Sequence, residues 1–445
     1  MKLLRAIFIT ALSLSILTFG FSASGRVYLR ELITGVDEAE GALDPVPSSN
    51  AQLTGEASSM GAPDSDAPPA DEDGQLRWVP IEQDQPTDSS EADGAQDTKA
   101  TALKLIQAPV DESLYYYRSV LTEEEQEMYD ALCMCAAQDS DNSSSPEITF
   151  HMDPSQDEFH HAFSRAYNAL LFDHAELFWL PVSGGVFQYS YYRPILSDDT
   201  YKVTFRFNKR YTDKEERVRD FEDAAAELLS GVDLTASDPV LALQIHDALI
   251  DSVTYDKVLA ESDASSDEVD LSHTAYGALV SNSRGEARTA VCDGYSYAYE
   301  YLLQRVGIPC IVVSGLAGDD ADSAAGHSWN LVQLDGEWYE VDATWDDITV
   351  DMMEKSDPQM NDLVAEALYN EEYMDRLHHF MYNLTTDEIS AFEPDDSYRF
   401  TSSLGWVTFL SSSVHIRHNG EDSETTGDYM TQYAPVAEGT EYSYK

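Results

Sequence analysis

The chain has 445 residues, with 82 Asp and Glu against 26 Lys and Arg and a formal charge of −56. This imbalance excludes nucleic acid as a partner, because phosphate binding needs clustered cations, and it argues against docking on anionic lipid. The length allows two or three domains. The four cysteines, Cys133, Cys135, Cys292 and Cys310, fall in no CxxC zinc or redox pattern, so no disulfide scaffold is expected.

Residues 1–24 read as a signal peptide or a signal anchor. Lys2 and Arg5 precede an apolar run from Ala6 to Phe21, and Ser22-Ala23-Ser24 offers small residues for cleavage. Uncleaved, residues 6–22 would be just long enough to tether the chain to a membrane. Either reading puts the bulk of the chain outside the cytoplasm, secreted or anchored. Residues 25–100 are rich in Pro, Ser, Ala and acid, show no apolar period, and read as a disordered linker.

Residues 101–235 read as an α+β accessory region. Thr122 and Glu125 form a capping box at a helix start, and Met128, Leu132 and Cys135 then share a face. Cys133 and Cys135 are most simply core residues. His151, His160, His161 and His174 match no metal-binding spacing. Tyr201–Phe207 alternates apolar and polar residues, as a half-buried strand does. Two helices follow, over about 214–229 and from Asp238-Pro239 onward, the second burying Leu241, Ile245 and Leu249.

Chemistry concentrates between Val291 and Trp345. Cys292 stands at the head of a helix whose Tyr295, Ala298, Tyr299, Leu302 and Val306 form one apolar face, ended by Gly307 and Pro309. A thiol there meets the positive end of the helix dipole, and the free N–H groups could hold an oxyanion. Downstream, Asp335-Gly336 is a two-residue hairpin signal. Closing the turn there pairs Leu334 with Glu337, so that Trp329 faces Asp342 and His327 faces Thr344. His327 and Asp342 are then diagonal neighbours on one sheet face, with Cβ atoms about 7 Å apart, within imidazole-to-carboxylate reach. Asp319, Asp320 and Asp322 read as a solvated loop, and Cys310 as a buried strand residue.

These pieces resemble the transglutaminase-like superfamily of papain-related thiol enzymes. The resemblance rests on SHTAYGAL (272–279), VCDGYS (291–296), GIPCIVVSG (307–315), GHSWN (326–330) and DGEWYEVDATWDD (335–347). It implies an α+β fold: a papain/transglutaminase-like core over 236–400, with the Cys helix packed on an antiparallel sheet, and a tail over 401–445. It also implies roles: Cys292 as nucleophile, His327 as general base and then acid, and Asp342 fixing the imidazole. Tyr276, His273 and Trp329 are candidates for lining the cleft or supplying an oxyanion donor. The longer SNSRGEARTA (281–290) before the nucleophile departs from the short Gly-containing turn of many relatives. The implied function is a cysteine peptidase or amidase working through a thioester on a protein or peptide, cell-wall peptide being one candidate. A cross-linking transglutaminase and a non-catalytic surface module on the same fold are the alternatives. No metal or cofactor is expected.

Overall fold

A computed structural model describes residues 13–17, 91–137, 146–180, 187–194, 200–207, 211, 213–260, 270–348, 358–403, 405–418 and 429–444. Most of the apolar leader and the linker up to residue 90 lie outside the described residues. Among the described residues no helix is long and apolar enough to cross a membrane.

Seven helices of eight residues or more are described: α1 (Glu91–Ile106), α2 (Glu123–Ala137), α3 (Asp157–Asp173), α4 (Lys214–Leu229), α5 (Asp238–Ser252), α6 (Cys292–Arg305) and α7 (Pro358–Leu368). α1 starts inside the stretch expected to be linker. Its run from Thr98 to Ile106 is made mostly of good helix formers, and it buries Ala102 and Ile106. Lys99 pairs with Glu227 of α4 at 3.7 Å, and Gln107 donates to Glu222 at 2.9 Å. Apolar contact and flanking polar pairs thus hold a segment whose composition alone suggested disorder.

In the accessory region β2 (Ile148–Phe150), β3 (Phe187–Tyr192) and β4 (Tyr201–Phe207) form an antiparallel sheet that β1 (Ser13–Leu17), from within the expected leader, joins in the order β1-β3-β4-β2. The capping box forms at the start of α2: Thr122 N donates to Glu125 Oε2 at 2.8 Å, and Glu125 N donates to Thr122 Oγ1 at 3.4 Å. This region packs directly on the core that follows. Tyr117 donates its hydroxyl to the Val312 carbonyl (2.6 Å), and Arg305 donates to the carbonyls of Ile106 and Ala108 (2.9 and 3.0 Å).

Two short strands, β5 (Thr254–Tyr255) and β6 (Thr289–Ala290), pair in parallel just before α6. The main sheet holds β7 (Cys310–Gly318), β8 (Ala325–Leu334) and β9 (Glu337–Val341), all antiparallel. Leu334 pairs with Glu337, and Asp335 and Gly336 both take positive φ (50° and 91°), the geometry a type I′ turn requires. α6 lies against this sheet with Tyr295, Ala298, Tyr299 and Leu302 buried. β7 is covered on both faces, which is why Cys310, Ile311, Val312 and Val313 run apolar without alternation.

The expected boundary at residue 400 does not describe the packing. After the hairpin β10 (Arg399–Ser402) and β11 (Gly405–Thr408), β12 (Val414–Arg417) pairs antiparallel with β7, giving the order β12-β7-β8-β9. Beyond it Met430 and Ala437 are buried, and Thr386 N donates to the Ala437 carbonyl at 3.0 Å. The physical reason is the free edge of β7, whose backbone groups need a partner that β8 cannot supply.

Gly315 permits this approach. A Cβ there would collide with the Ile416 carbonyl oxygen and lie 2.8 Å from Trp329 Cη2. Gly315→Ala is therefore expected to lower stability by about 1–3 kcal/mol, read as a shift of the urea midpoint. An unshifted midpoint would show that β12 is not seated as described.

Candidate active site

Cys292 is the first residue of α6, half-buried, with Val291 in extended conformation (φ −98°, ψ −177°) as the preceding cap. The Gly294 N–H donates to the Val291 carbonyl at 2.9 Å, which leaves the N–H groups of Cys292 and Asp293 as those of the first turn beside the thiol. β6, tied to β5, fixes the direction from which the chain enters the helix.

β8 and β9 bring His327 and Asp342 together as the turn register required. His327 Nε2 donates to Asp342 Oδ2 at 2.6 Å, and Nδ1 is the ring nitrogen left for the thiol. Burial works against a charged imidazole here. The Asp342 carboxylate and the charge and hydrogen bond of Cys292 outweigh it, and hold the His327 pKa well above its ordinary value. Thiol, imidazole and carboxylate are thereby linked in sequence.

Asp342 lies just past β9 as the cap of the short Ala343–Asp346 helix. Its Oδ1 accepts from Thr344 N (3.0 Å) and Trp345 N (3.2 Å). It is fully buried. Desolvation pushes its pKa up, but His327 and a second imidazole, His415, drive it well below the usual carboxylate range.

His415 has no counterpart in the sequence reading. It lies on β12, is buried, and places Nε2 3.0 Å from Asp342 Oδ2, the same oxygen that accepts from His327. Burial lowers its pKa despite the carboxylate, so it stays neutral. Since Asp342 can only accept, Nε2 carries the proton. Nδ1 has no hydrogen-bond partner among the described residues. Trp345 stands edge-on to its ring at 4.7 Å.

The three cleft candidates separate. Trp329 is buried, lies parallel to His327 with centroids 6.0 Å apart, and donates Nε1 to Glu340 at 2.8 Å. It screens the imidazole from water. His273 binds Asp293, the neighbour of Cys292, through Nδ1 at 2.7 Å. Ser328 donates to the other oxygen of Asp293 at 2.5 Å. Burial raises the Asp293 pKa, yet His273 holds it below the usual range, so the acid next to the thiol is matched by its own imidazole. Tyr276 is drawn into aromatic packing against α4. Its ring packs against Phe178 and Phe221 under Arg217, and its apolar body is what the fold uses. Tyr255, which spacing did not single out, stands at the site instead. Burial raises its hydroxyl pKa first, followed by the charges of Cys292, Asp293 and Asp342. Of the other thiols, Cys135 and Cys310 are buried, and Cys133 sits 3.5 Å from His174 Nε2.

Residues 228–343 match the family model described as the transglutaminase-like superfamily. Among curated proteins, the kyphoscoliosis peptidase of Mus musculus is 34% identical over 67 residues, covering 14% of this chain and 10% of that protein. Its Homo sapiens counterpart is 32% identical over 89 residues, covering 18% and 12%. The chain thus spans only about a tenth of the length of these relatives. A solved structure described as that of a TGase aligns at 16% identity over 50% of this chain and 57% of its own, with a TM-score of 0.23, too low to argue from. The family match supports a thiol acyl-transfer or peptidase-like function in general terms. The stretch that carries Cys292, His327 and Asp342 is a domain of the transglutaminase-like superfamily.

Proposed function

We propose that this protein is a thiol acyl-transfer enzyme, acting as a cysteine peptidase or amidase on a protein or peptide outside the cytoplasm. The observation that carries the reading is the 2.6 Å bond from His327 to a buried, charged Asp342, with Cys292 linked to the same imidazole. His327 takes the thiol proton, and the Cys292 thiolate attacks the substrate carbonyl carbon. The carbonyl electron pair moves onto oxygen, where the first-turn N–H groups of α6 and the Tyr255 hydroxyl receive it. Collapse expels the amine, which leaves with the proton from His327, and a thioester remains. Water, deprotonated by His327, then attacks the thioester and releases acid and thiol. Hydrolysis is favoured over cross-linking because both curated relatives are named as peptidases. Export rests on the apolar run from Ala6 to Phe21, and cell-wall peptide is one candidate substrate.

The His327 pKa, held well above its ordinary value, favours keeping on the ring the proton it takes from the thiol. A raised histidine pKa contributes stability that is fully present below the unfolded value of about 6.5, and that is lost as pH rises through the folded value. Iodoacetamide is accordingly expected to label Cys292 at about pH 6, far below the ordinary thiol range near 8.5, and the His327→Ala variant is expected to lose this labelling. Labelling no faster than free cysteine would end the enzyme reading.

Removing the positioning groups gives a graded series. Asp342→Asn is expected to lower kcat about 10⁴-fold. His415→Ala is expected to lower kcat about 10–100-fold with little change in KM, and to shift the acid limb of the pH profile, because it frees one lone pair of Asp342. A uniform fall in folded fraction with an unchanged pH profile would mark His415 as structural only. Amide cleavage without incorporation of a primary amine, the cleavage abolished in Cys292→Ala, is the result expected of a hydrolase. Amine incorporation abolished by the same change would make the protein a cross-linker.

A further inference from the structure

Outside the thiol site, α5 presents His246 and Asp247 side by side. The turn after the Glu371–Leu377 helix delivers His379, 132 positions beyond Asp247. Their donor atoms converge. Asp247 Oδ1 lies 3.1 Å from His246 Nδ1 and 2.8 Å from His379 Nε2, and all three atoms fall within 4.8 Å of one another. The far nitrogen of each ring is already engaged. His246 Nε2 lies 3.2 Å from Asp346 Oδ2, and His379 Nδ1 lies 2.7 Å from the Asp375 carbonyl oxygen.

This is how imidazoles are held when they bind a metal. One nitrogen faces the ion, while the other donates to a carboxylate or backbone carbonyl that fixes the tautomer. With protons alone, His379 would have to donate from both nitrogens, and so would His246 wherever Asp346 is ionised, setting two imidazolium charges 5.4 Å apart between centroids. The side chains of His246 and His379 are 0% and 5% exposed, so water could screen little of that repulsion.

We propose that His246 Nδ1, Asp247 Oδ1 and His379 Nε2 form a binding site for a divalent transition-metal ion of the zinc type, with solvent completing the coordination. Two imidazoles and one carboxylate suit Zn²⁺, whereas Ca²⁺ and Mg²⁺ require oxygen ligands throughout. Tetrahedral bonds of about 2.0–2.2 Å set neighbouring donors roughly 3.4 Å apart, so the two edges at Asp247, 3.1 and 2.8 Å, have to open slightly and the third, within 4.8 Å, has to settle to the same length. The Asp247 side chain, 37% exposed, leaves a path for the ion and its water. Tyr444 stacks on His379 at 4.1 Å and Tyr382 packs on His246 at 4.8 Å, walling the other sides.

The ion's place in the fold points to a clamp. Asp346, which holds His246 from behind, ends the short helix that Asp342 caps. Asp346 Oδ1 accepts from Met381 N at 2.8 Å, and the Met381 carbonyl accepts from Asp342 N at 3.0 Å. The ion therefore joins α5 and the His379 turn to the segment that carries the proposed catalytic acid.

His327, Asp342 and His415 also bring donor atoms within 4.8 Å, so the test must separate the two clusters. The full-length protein is loaded with Zn²⁺, dialysed against metal-free buffer and assayed for zinc by mass spectrometry. Parallel samples carry Co²⁺ for visible spectroscopy. The expected result is a stoichiometric ion with a raised melting temperature and ligand-field bands in the Co²⁺ form. It is retained in His327→Ala and lost in Asp247→Asn, a near-isosteric change at a partly exposed position. Clearly substoichiometric zinc, or an ion that survives Asp247→Asn and vanishes in His327→Ala, overturns the proposal. Should the variants not fold, alkylation of Cys292 in the wild-type Co²⁺ form decides. An unaffected rate places the ion at His246, and a blocked rate places it on the catalytic imidazole and overturns the proposal.

Discussion

A single buried carboxylate imposes the most demanding constraint on this chain. Asp342 has no contact with solvent and stays charged, which is tolerable only because both its oxygens are occupied. One accepts two backbone N–H groups of the helix it caps; the other accepts two imidazoles. Taking away one partner of such a group leaves uncompensated charge and costs about 3–5 kcal/mol. Three separate pieces of chain, β8, the segment running from β9 through the short helix, and β12, must therefore arrive at one point. The same charge that demands them gives His327 its basicity. Stability and proposed reactivity meet on one oxygen.

A second buried acid supports the first. Glu340, one turn of the pleat before Asp342, accepts from Trp329 Nε1 at 2.8 Å and from Thr386 Oγ1 at 2.7 Å, and it is paired with Arg417. Arg417 in turn donates to the Pro435 carbonyl at 2.6 Å. Through this acid, the indole that lies beside His327 is tied to β12 and to the segment beyond it. The screen over the imidazole and the strand that brings His415 are thus positioned by one set of bonds.

The hairpin was legible in the sequence for a definite reason. Asp335-Gly336 specifies a turn with two positive φ values, the turn fixes the register, and the register fixes which residues share a face. Likewise the Thr122–Glu125 box and the apolar face of α6 are short-range patterns. What escaped was long-range. His415 stands on a four-residue strand with no period of its own, and only its pairing with β7 reveals it. Tyr255 reaches the thiol because β5 and β6 run parallel across a loop of more than thirty residues. Tyr276 misled because a tyrosine beside a matching motif looks the same whether its hydroxyl or its ring is used. α1 was hidden because acidic, small-residue composition precedes it and its contacts with α4 are long-range.

The seating of β12 also sets when the site can exist. His415 lies 73 positions after the carboxylate it holds, and β12 closes onto a strand made roughly a hundred residues earlier. During synthesis, the thiol, the first imidazole and the carboxylate all emerge while that edge of the sheet is still bare. The nascent chain thus holds the reactive parts before it holds their final arrangement. The buried carboxylate therefore gains its second imidazole only when the last strand of the sheet docks.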